Sequence, residues 1–275
     1  MSEWNWQLLT AGHFRLDGGS MFGVVPRAIW QRLVAPDEHN RIPLACNCLL
    51  LERDGKRVLI ESGYGAKWSP KEREIFALED RALGTALGEL AIEPESISAV
   101  LLSHLHFDHA AGVSQLDSAG DVASIFPEAR IYVQQQEWDD ALAGRSTMSK
   151  TYLASTFEPI SRQAELVDGD TTVLGDIRLT LRPGHTWGLQ TIEFDDAEGT
   201  VCFVSDVMPT RNHVHPAYSM GYDMLPWDNM RSKQALLDQA CEGDWRLVLY
   251  HEPDKPVVRV VRDDAGHFEL PPVGE

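Results

Sequence analysis

Seven residues carry the chemistry this sequence can offer, and four of them stand together. Ser103-His104-Leu105-His106-Phe107-Asp108-His109 places three imidazoles and a carboxylate within six positions. Neutral imidazole and carboxylate together suit a borderline divalent cation: zinc first, with manganese, iron and cobalt as alternatives. The chain holds ten histidines, so three of them in six positions fit an incidental polar turn poorly. The cluster directly follows the apolar run SAVLLS. That predicts a loop at a strand end, where neighbouring side chains can turn toward different ions. A regular strand or helix would fix them on opposed faces. Two ions need more ligands than these four. His185 follows IRLTLR in Pro183-Gly184-His185-Thr186, Asp206 follows TVCFV in Ser205-Asp206, and His251 follows RLVLY. Singly, each strand-end residue has an ordinary structural explanation. Jointly they complete a seven-ligand set at the ends of strands.

Apolar and aromatic residues near these positions are candidates to line an acyl or aryl pocket. They are Met21 and Phe22 in the N-terminal stretch, Phe107 inside the cluster, Trp187 after His185, and Met208 and Met224. Core packing explains Phe22, Trp187, Met208 and Met224 equally well. His213 and His215 form a further HxH, read as a satisfied outer or surface pair in preference to a third metal site. Cys46 and Cys48 are two apart in LACNCLLLE. On a strand they share a face, and two buried small side chains fit them better than a metal or redox pair.

The elements that must position these residues read as hairpins separated by helices. Residues 44–53 predict a strand, Asp54-Gly55 a tight turn, and KRVLIES the returning strand. The leucine spacing over 70–90 predicts a helix, and 98–103 a buried strand. ARIYVQ predicts a strand and QQEWDDALA a helix, while 144–159 is read as a helical insertion over the site. TTVLGDIRLTLRPG predicts a hairpin turning at Gly175-Asp176; QTIEF and TVCFVS predict two further strands. Residues 229–242 predict a helix, RLVLYH a strand, and VVRVVRDDAGHFEL a closing hairpin. This order predicts an α/β fold with two mixed sheets packed face to face and helices outside. No Pro/Gly/Ser-rich linker interrupts the 275 residues, so a single domain over 1–275 is expected.

Composition narrows the partners. The formal charge is −18, which repels polyanions at long range and argues against a nucleic-acid substrate. No apolar run approaches the ~20 residues needed to span a bilayer, so no membrane partner is expected. Four cysteines are too few for a disulfide scaffold. The first residues lack a basic stretch followed by a long apolar one, and the expected location is cytoplasmic. Eight tryptophans leave a homodimer open.

HxHxDH, then GHT, then a strand-end Ser-Asp, then a late strand-end histidine resembles the metallo-β-lactamase superfamily in that order, over nearly the whole chain. The resemblance implies an αββα sandwich. It implies His104, His106 and His185 on one metal, Asp108, His109 and His251 on a second, and Asp206 between them. The bridging carboxylate sets the chain apart from the true β-lactamases. HLHFDH resembles the lactonase-like branch, which includes N-acyl-homoserine lactonases, YtnP-like quorum-quenching proteins and methyl parathion hydrolase. GGSMFGVVPRAIW and SDVMPTRNHVHPAYSMGYD resemble the YtnP-like sequences in particular. The resemblance therefore implies a dinuclear hydrolase of lactones or related esters, with phosphotriesters as side substrates. A water shared by two ions would supply the nucleophile at neutral pH, and Asp108 would orient it and carry a proton. One departure stands out. Homoserine lactonases place a substrate-binding tyrosine three residues after the bridging aspartate, where this chain has Pro209; Tyr222 or Tyr218 is the candidate replacement. Competing readings are a glyoxalase II-like thioesterase, which would need a basic thiol-binding patch, a persulfide dioxygenase with one iron, and a catalytically silent metal-binding or sensing protein.

Overall fold

The structure, a computed structural model, describes residues 3–148 and 150–274. Two compact units divide the chain: Met1–His13 with Ala45–Thr171, and Phe14–Leu44 with Thr172–Glu275. Among the described residues no helix is long and apolar enough to cross a membrane.

Most residues of one six-stranded sheet belong to the first unit. The strands in chain order are β1 (Asn5–Asp17), β2 (Arg41–Arg53), β3 (Lys56–Ile60) and β4 (Ile97–Leu101), then a small hairpin of β5 (Ser114–Leu116) and β6 (Val122–Ser124), then β7 (Arg130–Gln134) and β8 (Ala164–Val167). The sheet order is β1-β2-β3-β4-β7-β8. β2 and β3 are antiparallel, with Leu49 opposite Ile60. Asp54 (φ 51°) and Gly55 (φ 77°) both take left-handed backbone at their turn, as a two-residue hairpin connection requires. β3, β4 and β7 run parallel, and parallel strands covered on both faces are apolar throughout. Accordingly Val58–Ile60 and Ala99–Leu101 are buried without alternation.

The reading of one helix over 70–90 is corrected: there are two, Pro70–Phe76 and Leu83–Glu89. Ser69 and Glu72 form a capping box at the start of the first, and Ala77 at φ 46° ends it. The intervening backbone is engaged by β1 instead, since Glu79 N donates to His13 O at 3.0 Å and Arg81 Nε to Thr10 O at 2.8 Å. The insertion at 144–159 is likewise mostly turns, with one helical turn at Ala154–Phe157; position 149 lies outside the described residues. The helix Gln135–Ala143 ends where the sequence predicts, with Gly144 in left-handed conformation as its cap.

The second unit carries another six-stranded sheet. Its strands are β9 (Thr171–Val173), β10 (Ile177–Leu181), β11 (Gln190–Asp196), β12 (Gly199–Phe203), β13 (Arg246–Val248) and β14 (Val257–Arg259). The order is β14-β13-β12-β11-β10-β9. β12 pairs parallel with β13, while β10–β11, β11–β12 and β13–β14 are antiparallel. The closing hairpin is shorter than the sequence predicts, Val261–Arg262 against Phe268–Glu269, because Val257–Arg259 joins the main sheet. The helix Pro226–Glu242 buries Asn229, Lys233, Leu236, Leu237 and Ala240, a stripe at helical spacing. Its leucines join Leu189, Val204, Val207, Met208, Leu247 and Leu249 in one apolar cluster. The two polar members of that stripe, Asn229 and Lys233, serve the site.

Candidate metal centre

Each unit holds its own set of candidate ligands. In the first, β4 ends at Leu101, the chain bends at Ser103, and the HxHxDH stretch leads into a short helical turn. Backbone N–H groups of alternate residues are pinned: Ser103 N to Glu61 Oε1 at 2.8 Å, Leu105 N to Glu137 Oε1 at 2.9 Å, and Phe107 N to Thr151 O at 3.1 Å. The backbone is thus held on either side of His104 and His106. Their rings lie 4.5 Å apart. His106 then begins the single turn Phe107–Ala110, which brings His109 back to His104, ring to ring at 4.0 Å. Ligand atoms of His104 and His106, of His104 and His109, and of Asp108 and His109 each lie within 4.8 Å. Ser62 clamps the end of the turn, donating Oγ to His109 O at 2.8 Å.

In the second unit Asp206 stands between two imidazoles. Its Oδ2 faces His185 Nε2 at 3.2 Å and its Oδ1 faces His251 Nε2 at 3.3 Å. All three residues are at most 4% exposed. Ser205 takes a left-handed φ of 48° just before Asp206, strain of ~1–3 kcal/mol that surrounding structure must hold in place. The ring of His251 packs edge-on against Tyr250 at 4.6 Å and Phe14 at 5.5 Å. Its backbone N donates to Pro209 O at 3.0 Å. Pro209 therefore anchors His251 through its carbonyl, a role that does not depend on side-chain identity.

The donor chemistry fits a borderline divalent cation. His104 Nδ1 faces Ser103 Oγ at 2.9 Å, His109 Nδ1 lies 3.7 Å from Glu61 Oε2, and His185 Nδ1 faces Asp223 Oδ1 at 2.9 Å. At His104 and His185 an oxygen engages the δ nitrogen and leaves Nε2 to coordinate, the arrangement that orients the ring at metal-binding histidines, while the Glu61 carboxylate lies beside His109 Nδ1 beyond hydrogen-bond distance.

The profile of the metallo-beta-lactamase superfamily matches residues 41–251, a span that contains both ligand sets. The chain belongs to the metallo-beta-lactamase superfamily. An N-acyl homoserine lactonase from a Bacillus species is 29% identical over 60% of this chain and 65% of its own, so the chain spans just under two thirds of that relative's length. A probable metal-dependent hydrolase from Staphylococcus aureus is 26% identical, covers 100% of this chain and 99% of its own, and superposes with a TM-score of 0.88. AidC, a dizinc quorum-quenching lactonase solved with a product, shares the fold at a TM-score of 0.81, with 21% identity over 100% of this chain and 96% of its own. These relatives place the chain on the lactonase-like branch of the superfamily's hydrolases. The two mixed sheets with their helices are the superfamily's α/β fold.

The other sequence candidates are distributed as follows. Met21 and Phe22 are 1% and 0% exposed. Phe22 stacks between Trp30 at 5.5 Å and His213 at 4.7 Å. His213 has both ring nitrogens engaged, by Thr210 Oγ1 at 2.8 Å and by Met21 O at 2.9 Å. Burial pulls its pKa down to about 3, so it is a neutral structural imidazole. His215 is exposed, and Trp187 and Tyr222 are half-buried. Phe107 packs with Trp68 at 5.2 Å and Phe76 at 5.3 Å. Cys46 and Cys48 are buried free thiols; burial holds the Cys48 thiol well above its ordinary pKa, and Cys46 Sγ donates to Asp108 O at 3.6 Å.

The supporting carboxylates Glu61, Glu137 and Asp223 were not singled out by sequence. Glu61 follows the apolar strand VLI, the same strand-end position the ligands occupy, and this was the available signal. Glu137 also accepts from Tyr152 Oη at 3.0 Å, and the Tyr152 ring lies 5.2 Å from that of His106. Burial and the Glu137 carboxylate push the Tyr152 phenol well up, keeping it a donor. Asp223 Oδ2 accepts from Met220 N at 3.0 Å and Asn229 Nδ2 at 2.7 Å, leaving Oδ1 for His185. Asp223→Asn is expected to weaken metal affinity by about 10–100-fold, measured by competition with a chelator.

Lys233 secures the same loop from within the helix, donating Nζ to Tyr218 O at 2.7 Å. Burial pulls its ammonium down to about 8 from 10.5. Between those values the unfolded chain holds the proton and the folded one releases it, so this group's contribution makes stability rise with pH across that window. Lys233→Met is expected to flatten the rise, read from urea midpoints at successive pH values. Lys67, also lowered to about 8 by burial, remains in both proteins, so the difference isolates Lys233.

Proposed function

We propose that the two ligand sets together hold two divalent ions, zinc by donor type, and that the enzyme opens lactones or related esters. His104, His106 and His185 would hold the first ion, Asp108, His109 and His251 the second, with Asp206 shared. The observation that carries this reading is Asp206, which presents a different oxygen to each of two histidines, as a carboxylate shared by two ions can. The bound ions would supply Lewis acidity toward the substrate carbonyl and a nucleophile available at neutral pH. The chain's own residues do the rest. Ser103 and Asp223 orient two imidazoles through their δ nitrogens, and the Glu61 carboxylate lies beside a third. Asp108 accepts a proton from the nucleophile and returns it to the leaving alkoxide. Tyr222, adjacent to Asp223, supplies the phenol that donates to the substrate carbonyl, in place of the tyrosine absent at Pro209. Phe107, Trp187, Met21 and Phe22 are the proposed contacts to an acyl chain. The Bacillus relative's name, N-acyl homoserine lactonase, supports an N-acyl homoserine lactone as the first substrate to try; phosphotriesters are the proposed side substrates.

The test couples metal analysis to a hydrolysis panel of acyl-homoserine lactones, simple lactones, thioesters, aryl esters and phosphotriesters. Two ions per chain and fastest turnover on a lactone are expected, with both lost in His106→Ala. Two ions bound and no hydrolysis of any lactone or ester would end the reading.

A further inference from the structure

We infer that the second unit carries a binding site for a small hydroxylated oxyanion, separate from the metal ligands and built on Arg182 and Arg231. A surface cavity of about 320 Å³ lies between the end of β10 and the helix Pro226–Glu242, with Leu181, Arg182, Pro183, Asp228 and Arg231 among its walls. That volume is at the lower end of small-molecule sites, which run ~300–1,000 Å³.

Arg182 is the unusual member. It is only 8% exposed. Its guanidinium donates to the neutral amide oxygen of Gln239, and its Nε is buried with no acceptor. Among the described residues no carboxylate comes within ion-pair distance of it. The contrast is Arg246, 5% exposed, which is paired with both Asp196 and Glu198. A chain with 42 acidic residues has ample means to neutralise a buried arginine, and a buried charge left uncompensated is strongly unfavourable. A second cation, the exposed Arg231, lines the same cavity and likewise has no carboxylate partner among the described residues.

Two arginines line one small cavity, and guanidinium groups match a carboxylate or phosphate head. Asp228, on the same wall, would repel a bare anion and accept from a hydroxyl. The ligand class is therefore an oxyanion carrying its own hydroxyl: a hydrogen phosphate group or a hydroxycarboxylate. Leu181 and Pro183 supply an apolar side for a short carbon skeleton.

Calorimetric titration of the metal-loaded protein with inorganic phosphate and, separately, with malate tests this. Saturable binding of at least one anion is expected, weakened at least tenfold in both Arg231→Ala and Arg182→Gln. Which anion binds tells phosphate from carboxylate. Anion held on the metals would survive both substitutions. Binding unchanged in the two variants, or no saturable binding of either anion at millimolar concentration, overturns the proposal. If Arg182→Gln does not fold, the exposed Arg231 decides alone.

Discussion

Asp108→Asn is expected to lower turnover per metal-loaded centre by about 10²–10⁴-fold, the range for losing a positioned acid–base group. Asparagine keeps the shape and one acceptor oxygen, so it can still approach a metal, but it cannot take up a proton. The local backbone does not depend on the carboxylate. His109 N and Ala110 N donate to His106 O at 3.1 and 2.9 Å, and the Asp108 carbonyl receives the Cys46 thiol. The variant should therefore fold with the wild-type circular dichroism spectrum. Metal content must be measured beside the rate, because Asp108 is also a candidate ligand, with a ligand atom within 4.8 Å of one on His109. A proportional fall in metal and rate would mark Asp108 as a ligand only. A rate loss well beyond the metal loss identifies the proton carrier. Wild-type turnover at full metal content would remove Asp108 from the mechanism.

The residues proposed as ligands were legible because they share a local signal, a polar group placed directly after an apolar strand. β4, β10, β12 and β13 each run into one of them within a few residues. The groups that orient them were not. Glu61, Glu137 and Asp223 are single carboxylates among 42 acidic residues, and only burial distinguishes them: each is at most 8% exposed. The β2–β3 hairpin was legible from Asp54-Gly55, whose left-handed geometry few other pairs accept. β1 was not, because its buried positions, Leu9, Ala11, Gly12 and Phe14, lack the strict alternation that marks a strand in sequence. The helix read over 70–90 failed for a tertiary reason. The leucine spacing is compatible with one long helix, but β1 claims the backbone at Glu79 and the Arg81 side chain, and Ala77 turns the chain to meet it. His213 shows the limit of residue type. In sequence it is read as a satisfied histidine in preference to a ligand, and the engagement of both ring nitrogens supplies the reason that residue type could not.

Gly184→Ala is expected to disable the protein without touching a ligand. A Cβ at this position would lie 2.3 Å from Asn229 Cα and 2.5 Å from Asn229 N. Both are backbone atoms of the helix Pro226–Glu242, so no side chain can swing away. The same turn is held from the other side, with Leu225 N donating to Gly184 O at 2.8 Å and Met224 N to His185 O at 3.1 Å. Relief requires the helix start or the turn to move, and overpacking of this kind costs about 3 kcal/mol at the upper end of its usual range. For a chain of this size that corresponds to a melting temperature lower by roughly 6–12 °C. The displacement also falls on His185, whose Nδ1 hydrogen bond to Asp223 depends on Asn229 holding the other carboxylate oxygen. Metal affinity and stability should therefore fall together in Gly184→Ala, whereas Asp223→Asn weakens metal binding through the same histidine without the backbone clash. A variant with unchanged melting temperature and unchanged metal affinity would show that the helix start yields freely, and that the close packing of Gly184 against it does not position His185.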